Sequence, residues 1–152
     1  MADEVTTRIL YPPNSTGFVD PIGYLKRGWR HIIFQITSLS DGTGEVGVRK
    51  MARGDLYGPS GLPCKRICIE EIFYHTHGMG VRLYFDMTPE ETICLIPHDG
   101  SGCIKGPFLP SIAKYEDYEP GETGDIMLST IATQVGANDT YDITIKMRIK
   151  EL

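Results

Sequence analysis

The sequence predicts an all-β fold, a β-sandwich of the jelly-roll or immunoglobulin-like kind with about seven to eight antiparallel strands. The 17 glycines and 10 prolines are scattered along 152 residues and divide the chain into many short segments. In several of these segments apolar and polar residues alternate. A period of two is the pattern of a strand that buries one face and exposes the other.

Residues 1–28 are predicted to form an extended N-terminal arm, and residues 29–152 a single sandwich domain. Proline and glycine interrupt the arm, so its apolar residues follow no period. An irregular apolar segment gains most by lying across a neighbouring subunit, although wrapping back over its own core is the alternative. The candidate interface residues of the arm are Ile9, Leu10, Tyr11, Phe18, Val19, Ile22 and Tyr24.

The first strands of the domain are predicted at about residues 29–37 and 45–52. In the first of them, Phe34 and Ile36 would face the core. Asp41-Gly42 lies between the two segments and is typical of a hairpin turn.

A second hairpin is predicted from residues 67–76 and 81–86, which flank the turn His77-Gly78-Met79-Gly80. A single helical turn is predicted at Thr88-Pro89-Glu90-Glu91, because threonine is a common N-cap and proline is favoured at the first helical position. The next strand is predicted at residues 92–97.

A long loop is predicted from about residue 100 to residue 123, with further strands at residues 125–133 and 141–150. The loop contains the acidic run Tyr115-Glu116-Asp117-Tyr118-Glu119, and Tyr115 and Tyr118 complete the candidate interface. Loops of this length inside a compact domain tend to be functional or mobile. A solvated flap without a partner is the alternative.

Charge and cysteine content limit the partners. Lys plus Arg is 15 and Asp plus Glu is 20, giving a net charge of -5, which disfavours nucleic acid as the main partner. The acidic first residues do not form a secretory signal, and the apolar runs are far shorter than the roughly 20 residues that span a membrane. We therefore expect synthesis in the cytoplasm, no membrane contact, and free thiols at Cys64, Cys68, Cys94 and Cys103.

Two sequence patterns resemble a cofactor-binding and a metal-binding motif, but each lacks a feature that its motif requires. Residues 42–47 match G-x-G-x-x-G, but a strand follows where the nucleotide-binding loop needs a helix. His75 and His77 would share one face of a strand, with His98, Cys94 or Cys103 as further ligands, yet the paired C-x-x-C spacing of zinc sites is missing. No cofactor and no metal are predicted, and metal binding by these histidines and cysteines stays open.

No catalytic residues are predicted either. The sequence has no G-x-S-x-G elbow, and the neighbouring acids Glu70-Glu71 and Glu90-Glu91 would point to opposite faces of a strand. The expectation is a non-enzymatic protein. Trp29 and the eight tyrosines leave a carbohydrate-binding or host-surface-binding module as an alternative, because aromatic rings offer stacking faces.

The order of the segments at residues 41–45, 123–130 and 138–145 resembles that of small β-rich virion proteins of tailed bacteriophages, especially capsid decoration (cement) proteins. The resemblance covers roughly residues 29–150 and is one of general pattern, so it assigns no functional residue. It implies a virion protein, a homo-oligomer with a trimer as one arrangement, that binds the major capsid protein or other virion subunits and stabilises the head. A head-tail adaptor, tail or fibre position fits the same pattern.

Overall fold

A computed structural model describes residues 4–11, 28–105, 121–131 and 136–151 of the chain. Within these residues nine strands form two antiparallel sheets, and the one helical element is a single 3-10 turn at Arg53–Asp55. The predicted all-β sandwich is confirmed. No helix among the described residues is long and apolar enough to cross a membrane.

The first sheet has five strands in the order β1-β2-β9-β4-β7, and the second has four in the order β3-β8-β5-β6. Their bounds are β1 (Glu4–Tyr11), β2 (His31–Asp41), β3 (Val48–Met51), β4 (Arg66–His77), β5 (Val81–Phe85), β6 (Glu91–Ile96), β7 (Asp99–Lys105), β8 (Ile126–Thr130) and β9 (Ala137–Lys150).

The core lies between the two sheets and is built from alternate residues of each strand. In β9, every second residue from Tyr141 to Ile149 is buried, and β2 buries Phe34 and Ile36 in the same way. The second sheet contributes the buried side chains of β5 and β8. Each buried aliphatic or aromatic side chain stabilises the fold by roughly 1.5–3 kcal/mol. The predicted period-two pattern is therefore the pattern of the core.

Strand β1 was not predicted, since its residues were assigned to the extended arm. It pairs with β2 from Glu4↔Leu39 to Tyr11↔Ile33, with an irregularity between Ile9 and Tyr11. The β-branched residues of EVTTRILY favour a strand. The two prolines that follow, Pro12 and Pro13, are instead typical of an irregular segment, and for this reason an extended arm was predicted. Residues 12–27 lie outside the described part of the chain.

The predicted hairpin of residues 67–76 and 81–86 is wrong. Strand β4 pairs with β9 and β7 in the first sheet, whereas β5 pairs with β6 and β8 in the second. The intervening Gly78 to Gly80 segment crosses between sheets. The Asp41-Gly42 turn does the same, because it leads from β2 to β3. Alternation shows that a segment has one buried face. Two such segments can be neighbours in one sheet, or they can lie in different sheets whose buried faces pack against each other.

Two further predictions need correction. No helical turn forms at Thr88-Pro89-Glu90-Glu91, since the pairing Phe85↔Glu91 places Glu91 in the ladder and leaves residues 86–90 to join β5 to β6. The predicted loop from residue 100 contains most of β7. Its Gly100 and Gly102 carry no side-chain pattern, and a Cβ added at Gly102 would lie 2.7 Å from Oη of Tyr74, so that the tyrosine ring would have to shift. Residues 106–120 are outside the described part.

Candidate functional site

A cavity of about 440 Å³ lies where β9 ends, and we call it the basic pocket. Its polar lining is Arg30, Ser60, Arg148, Lys150 and Glu151, and Leu62 is among its apolar residues. The alternation of β9 places Arg148 and Lys150 on the same side of the strand, on either side of the buried Ile149. The pocket therefore combines three basic side chains with one acidic and several apolar ones.

Pairing between β2 and β9 brings the basic residues together. His31 lies opposite Arg148 in the ladder, and the amide of Ile149 donates a hydrogen bond of 2.8 Å to the carbonyl of Arg30. Arg30 is thereby fixed beside the end of β9, although it precedes β2 in the chain. This proximity depends on the sheet and is invisible in the sequence.

The opposite wall of the pocket is the loop of residues 57–63. The amide of Gly58 donates to the carbonyl of Leu62 at 2.9 Å, and the amide of Trp29 donates to the carbonyl of Tyr57 at 2.9 Å. The amide of Ser60 donates to Oε1 of Glu151 at 2.7 Å. Hydrogen bonds thus hold the loop from both sides, so the position of this wall depends on the folded structure.

The cations of the pocket have no anionic partner among the residues that the structure describes. Within the described part of the chain, Arg30, Arg148 and Lys150 form no ion pair, and the Glu151 carboxylate accepts from Ser60. The Nε atom of Arg148 is buried without a hydrogen-bond partner. An unmade hydrogen bond on a buried donor is unfavourable, and an arginine fork fits a carboxylate or phosphate. This arrangement suits an anionic group on a ligand.

Glu70 on β4 does not neutralise the pocket. Its Oε1 lies 3.2 Å from Nε2 of His31, which is an ion-pair distance, but that oxygen is buried and makes no hydrogen bond. We regard the contact as an electrostatic one with poor hydrogen-bond geometry. Glu70 and His31 are both about one-third exposed, so the contact contributes little to stability.

A second polar group is buried inside the sandwich at Glu45, Lys50 and Tyr141. Lys50 Nζ donates to Oε2 of Glu45 at 2.6 Å, and the Tyr141 hydroxyl donates a short hydrogen bond to the other carboxylate oxygen. The amide of Glu45 also donates to Oγ1 of Thr130 at 2.9 Å. Because both charges are paired and the group joins β3, β8 and β9, its role is to fix how the two sheets meet.

The histidines lie at an exposed end of the first sheet. His77 Nδ1 is 3.7 Å from Oδ1 of Asp99, and His98 Nε2 is 3.5 Å from the other carboxylate oxygen. His75 is exposed on the same strand as His77. Across the residues that are described, no group of three or more histidine, cysteine, aspartate or glutamate side chains has an arrangement that would hold a metal ion.

All four cysteines are free, as the sequence predicted. Burial raises the pKa of Cys64 to about 11, against a smaller opposing effect of the nearby Arg53, and burial raises the pKa of Cys94 to about 12. Both therefore remain protonated near neutral pH and behave as small apolar side chains. Cys103 is exposed on β7.

Among the candidate interface residues, the structure places Ile9, Leu10 and Tyr11 on the edge strand β1. Leu10 is 39% exposed and Tyr11 48%, and Val5 on the same strand is 38% exposed. The remaining candidates lie outside the described residues: Phe18, Val19, Ile22, Tyr24, Tyr115 and Tyr118.

Trp29, which the sequence suggested as a sugar-stacking face, is partly buried against the core. The basic pocket was missed by the sequence analysis. Its only sequence signal was Arg30 and the basic residues on the polar positions of the last strand. Comparison of the chain with protein-family models, with curated proteins and with solved structures finds no match.

Proposed function

We propose that the chain is a non-enzymatic structural protein that works by contact with other protein subunits, beginning with copies of itself. The observation that carries the proposal is strand β1, which lies at the edge of the five-stranded sheet as far as the chain is described, and in which only Ile9 is partly buried against the core while Val5, Leu10 and Tyr11 are exposed. An open edge strand is a template for pairing with another chain. Natural proteins use such edges for β-strand addition at interfaces.

The side chains of β1 support the same interpretation. Val5, Leu10 and Tyr11 are exposed on one strand, although Arg8 is its only basic residue. Charges, prolines and bulges can protect an edge strand from association, and β1 has Glu4, Arg8 and the irregularity between Ile9 and Tyr11, but its Val5, Leu10 and Tyr11 side chains stay exposed. Burying Leu10 and Tyr11 against a second subunit would remove apolar surface from water, which favours association.

More specifically, we propose a virion component of the capsid decoration class that binds the major capsid protein lattice and stabilises the head. The support is the resemblance of the segments at residues 41–45, 123–130 and 138–145 to that class, together with a sandwich that presents an open edge. A head-tail adaptor, tail or fibre protein is the variant of this proposal with a different position on the particle.

Sedimentation velocity over a range of concentrations tests the self-association. We expect the full chain to form a closed oligomer, and a variant with Leu10→Glu and Tyr11→Glu to sediment as a smaller species than the wild type at the same concentration, because two buried carboxylates oppose the interface. A matched control variant carries Val46→Glu and Leu95→Glu, which replace two exposed apolar residues in the region of the four-stranded sheet. A wild-type chain that is monomeric throughout contradicts the proposal.

Gene neighbourhood tests the virion assignment. A gene for a major capsid protein beside the gene for this chain supports it. A neighbourhood without any virion gene contradicts it and leaves the self-association experiment unaffected.

A further inference from the structure

We propose that the basic pocket binds an acidic peptide segment, and that residues 115–119 of a second copy of the chain supply it. The inference rests on the proposed function because it assumes that copies of the chain assemble. It goes further by naming a second contact, away from β1, and the chemistry on both of its sides.

The first argument is charge. Arg30, Arg148 and Lys150 line one cavity without a carboxylate partner in the described structure, on a chain whose net charge is -5. Three cations so close together repel one another, and an anionic ligand relieves that repulsion. Arginine clusters recognise acidic motifs by this combination of charge and fork-shaped hydrogen bonding.

The second argument is the guanidinium group of Arg148, which lines the pocket and forms no ion pair in the described structure, and whose buried Nε atom has no acceptor there. Glu70 contacts His31, and Glu151, which also lines the pocket, accepts a hydrogen bond from the Ser60 amide and forms no ion pair with the three cations in the described structure. An incoming carboxylate can bind an arginine through two parallel hydrogen bonds. Lysine offers only a point charge, so Arg148 is the residue that orients the bound group.

The third argument is the mixed lining. Pro59, Leu62 and Ile149 form apolar parts of a cavity of about 440 Å³, which has room for several side chains rather than for a single small anion. A peptide that alternates aromatic and acidic residues matches apolar and basic walls together. The run Tyr115-Glu116-Asp117-Tyr118-Glu119 has that composition.

The second copy is favoured because each chain carries both the pocket and the acidic run. A contact between two different surfaces of identical subunits is heterologous, and it closes into a ring when the rotation between subunits allows. Head-to-tail assembly through the pocket is therefore compatible with the closed oligomer proposed above.

Direct titration tests the proposal. The receptor is the full chain with Glu116→Gln, Asp117→Asn and Glu119→Gln, so that its own run does not compete. The ligand is a synthetic peptide with the sequence of residues 113–121, AKYEDYEPG. Binding is followed by calorimetry and by the fluorescence of Trp29, the only tryptophan, which precedes Arg30. We expect saturable binding that weakens as salt is added.

Two controls make the test specific. A peptide with its acids changed to amides should not bind. A receptor that also carries Arg30→Glu and Lys150→Glu should bind at least about tenfold more weakly. Arg49→Glu serves as the matched charge change on the exposed surface of β3, outside the pocket, and should leave binding unchanged.

Equal binding of the acidic and the amide peptide, or equal loss with Arg49→Glu, overturns the proposal, as does absence of binding. Failure here is distinct from failure of the proposed function. If the peptide does not bind while the Leu10→Glu, Tyr11→Glu variant still dissociates the oligomer, only the pocket contact is wrong. If the wild-type chain is a monomer, the second copy is excluded as the source of the segment.

Discussion

Strands β9 and β1 belong to the same sheet and have opposite surroundings. Strand β9 has a neighbour on each side and buries every second residue from Tyr141 to Ile149, whereas β1 has one neighbour among the described residues and, from Val5 to Tyr11, only the partly buried Ile9 against the core. The difference separates two roles within one sheet. The centre stabilises the domain, and the edge is the part for which we propose contact with another subunit.

The largest expected effect is on the buried charge pair beside β9. Lys50→Met leaves the Glu45 carboxylate without its cation, because the lysine is 2% and the glutamate 7% exposed. We expect a loss of about 3–5 kcal/mol in the free energy of unfolding, measured by urea denaturation. Lys50→Met combined with Glu45→Gln should lose less, since no unpaired charge remains. A single variant as stable as the wild type would show that water reaches the pair.

A smaller effect tests the contrast between centre and edge directly. Ile143→Ala removes a fully buried side chain from β9 and should lower the free energy of unfolding by about 2–5 kcal/mol. Val5→Ala on β1 should change it by no more than about 0.5 kcal/mol in the isolated subunit. Comparable losses at the two positions would mean that β1 contributes to the core, and that its exposed side chains already stabilise the isolated subunit.

The reactivity of the cysteine thiols gives a milder test of the contrast between buried and exposed positions. At pH 8, Cys103 should react first with a disulfide reagent, half-buried Cys94 should react more slowly because its thiol stays protonated, and buried Cys64 should react only when the protein opens. Mass spectrometry locates the modified residues. Modification of Cys64 as fast as Cys103 would contradict the burial of Cys64.

The same thiols set a dependence on alkaline pH. Folding raises both pKa values above the ordinary 9.0, so the folded state holds these two protons more tightly than the unfolded state. Their contribution to stability is complete below pH 9 and is lost as the pH rises through about 11 and 12. Denaturation at pH 8 and pH 10.5 should therefore show lower stability at the higher pH, and less loss in Cys64→Ala.

The sequence predicted strands wherever apolar side chains alternate without interruption, and β9 is the clearest case. It failed where strands carry little side-chain pattern, as in β7 with Gly100 and Gly102. It also failed on pairing, because the alternation in β4 and β5 marks a buried face without indicating which sheet holds it.

The site was less predictable than the fold. Arg30 and Arg148 are distant in sequence, and only the pairing of β2 with β9 brings them to one cavity. Burial of the Arg148 Nε atom depends on the surrounding packing and has no counterpart in a residue pattern. Leu10 and Tyr11, in contrast, were predicted as candidate interface residues although their strand was not, and both are exposed on β1.

The central position of β9 has a consequence for synthesis. Of the nine strands it is the last in the chain, yet it joins β2 to β4. Until the ribosome has delivered residue 150, β2 and β4 each present an unpaired edge inside the growing polypeptide. Such edges invite aggregation between nascent chains, so a chaperone that shields strands should raise the yield of this protein more than that of a sheet assembled in sequence order.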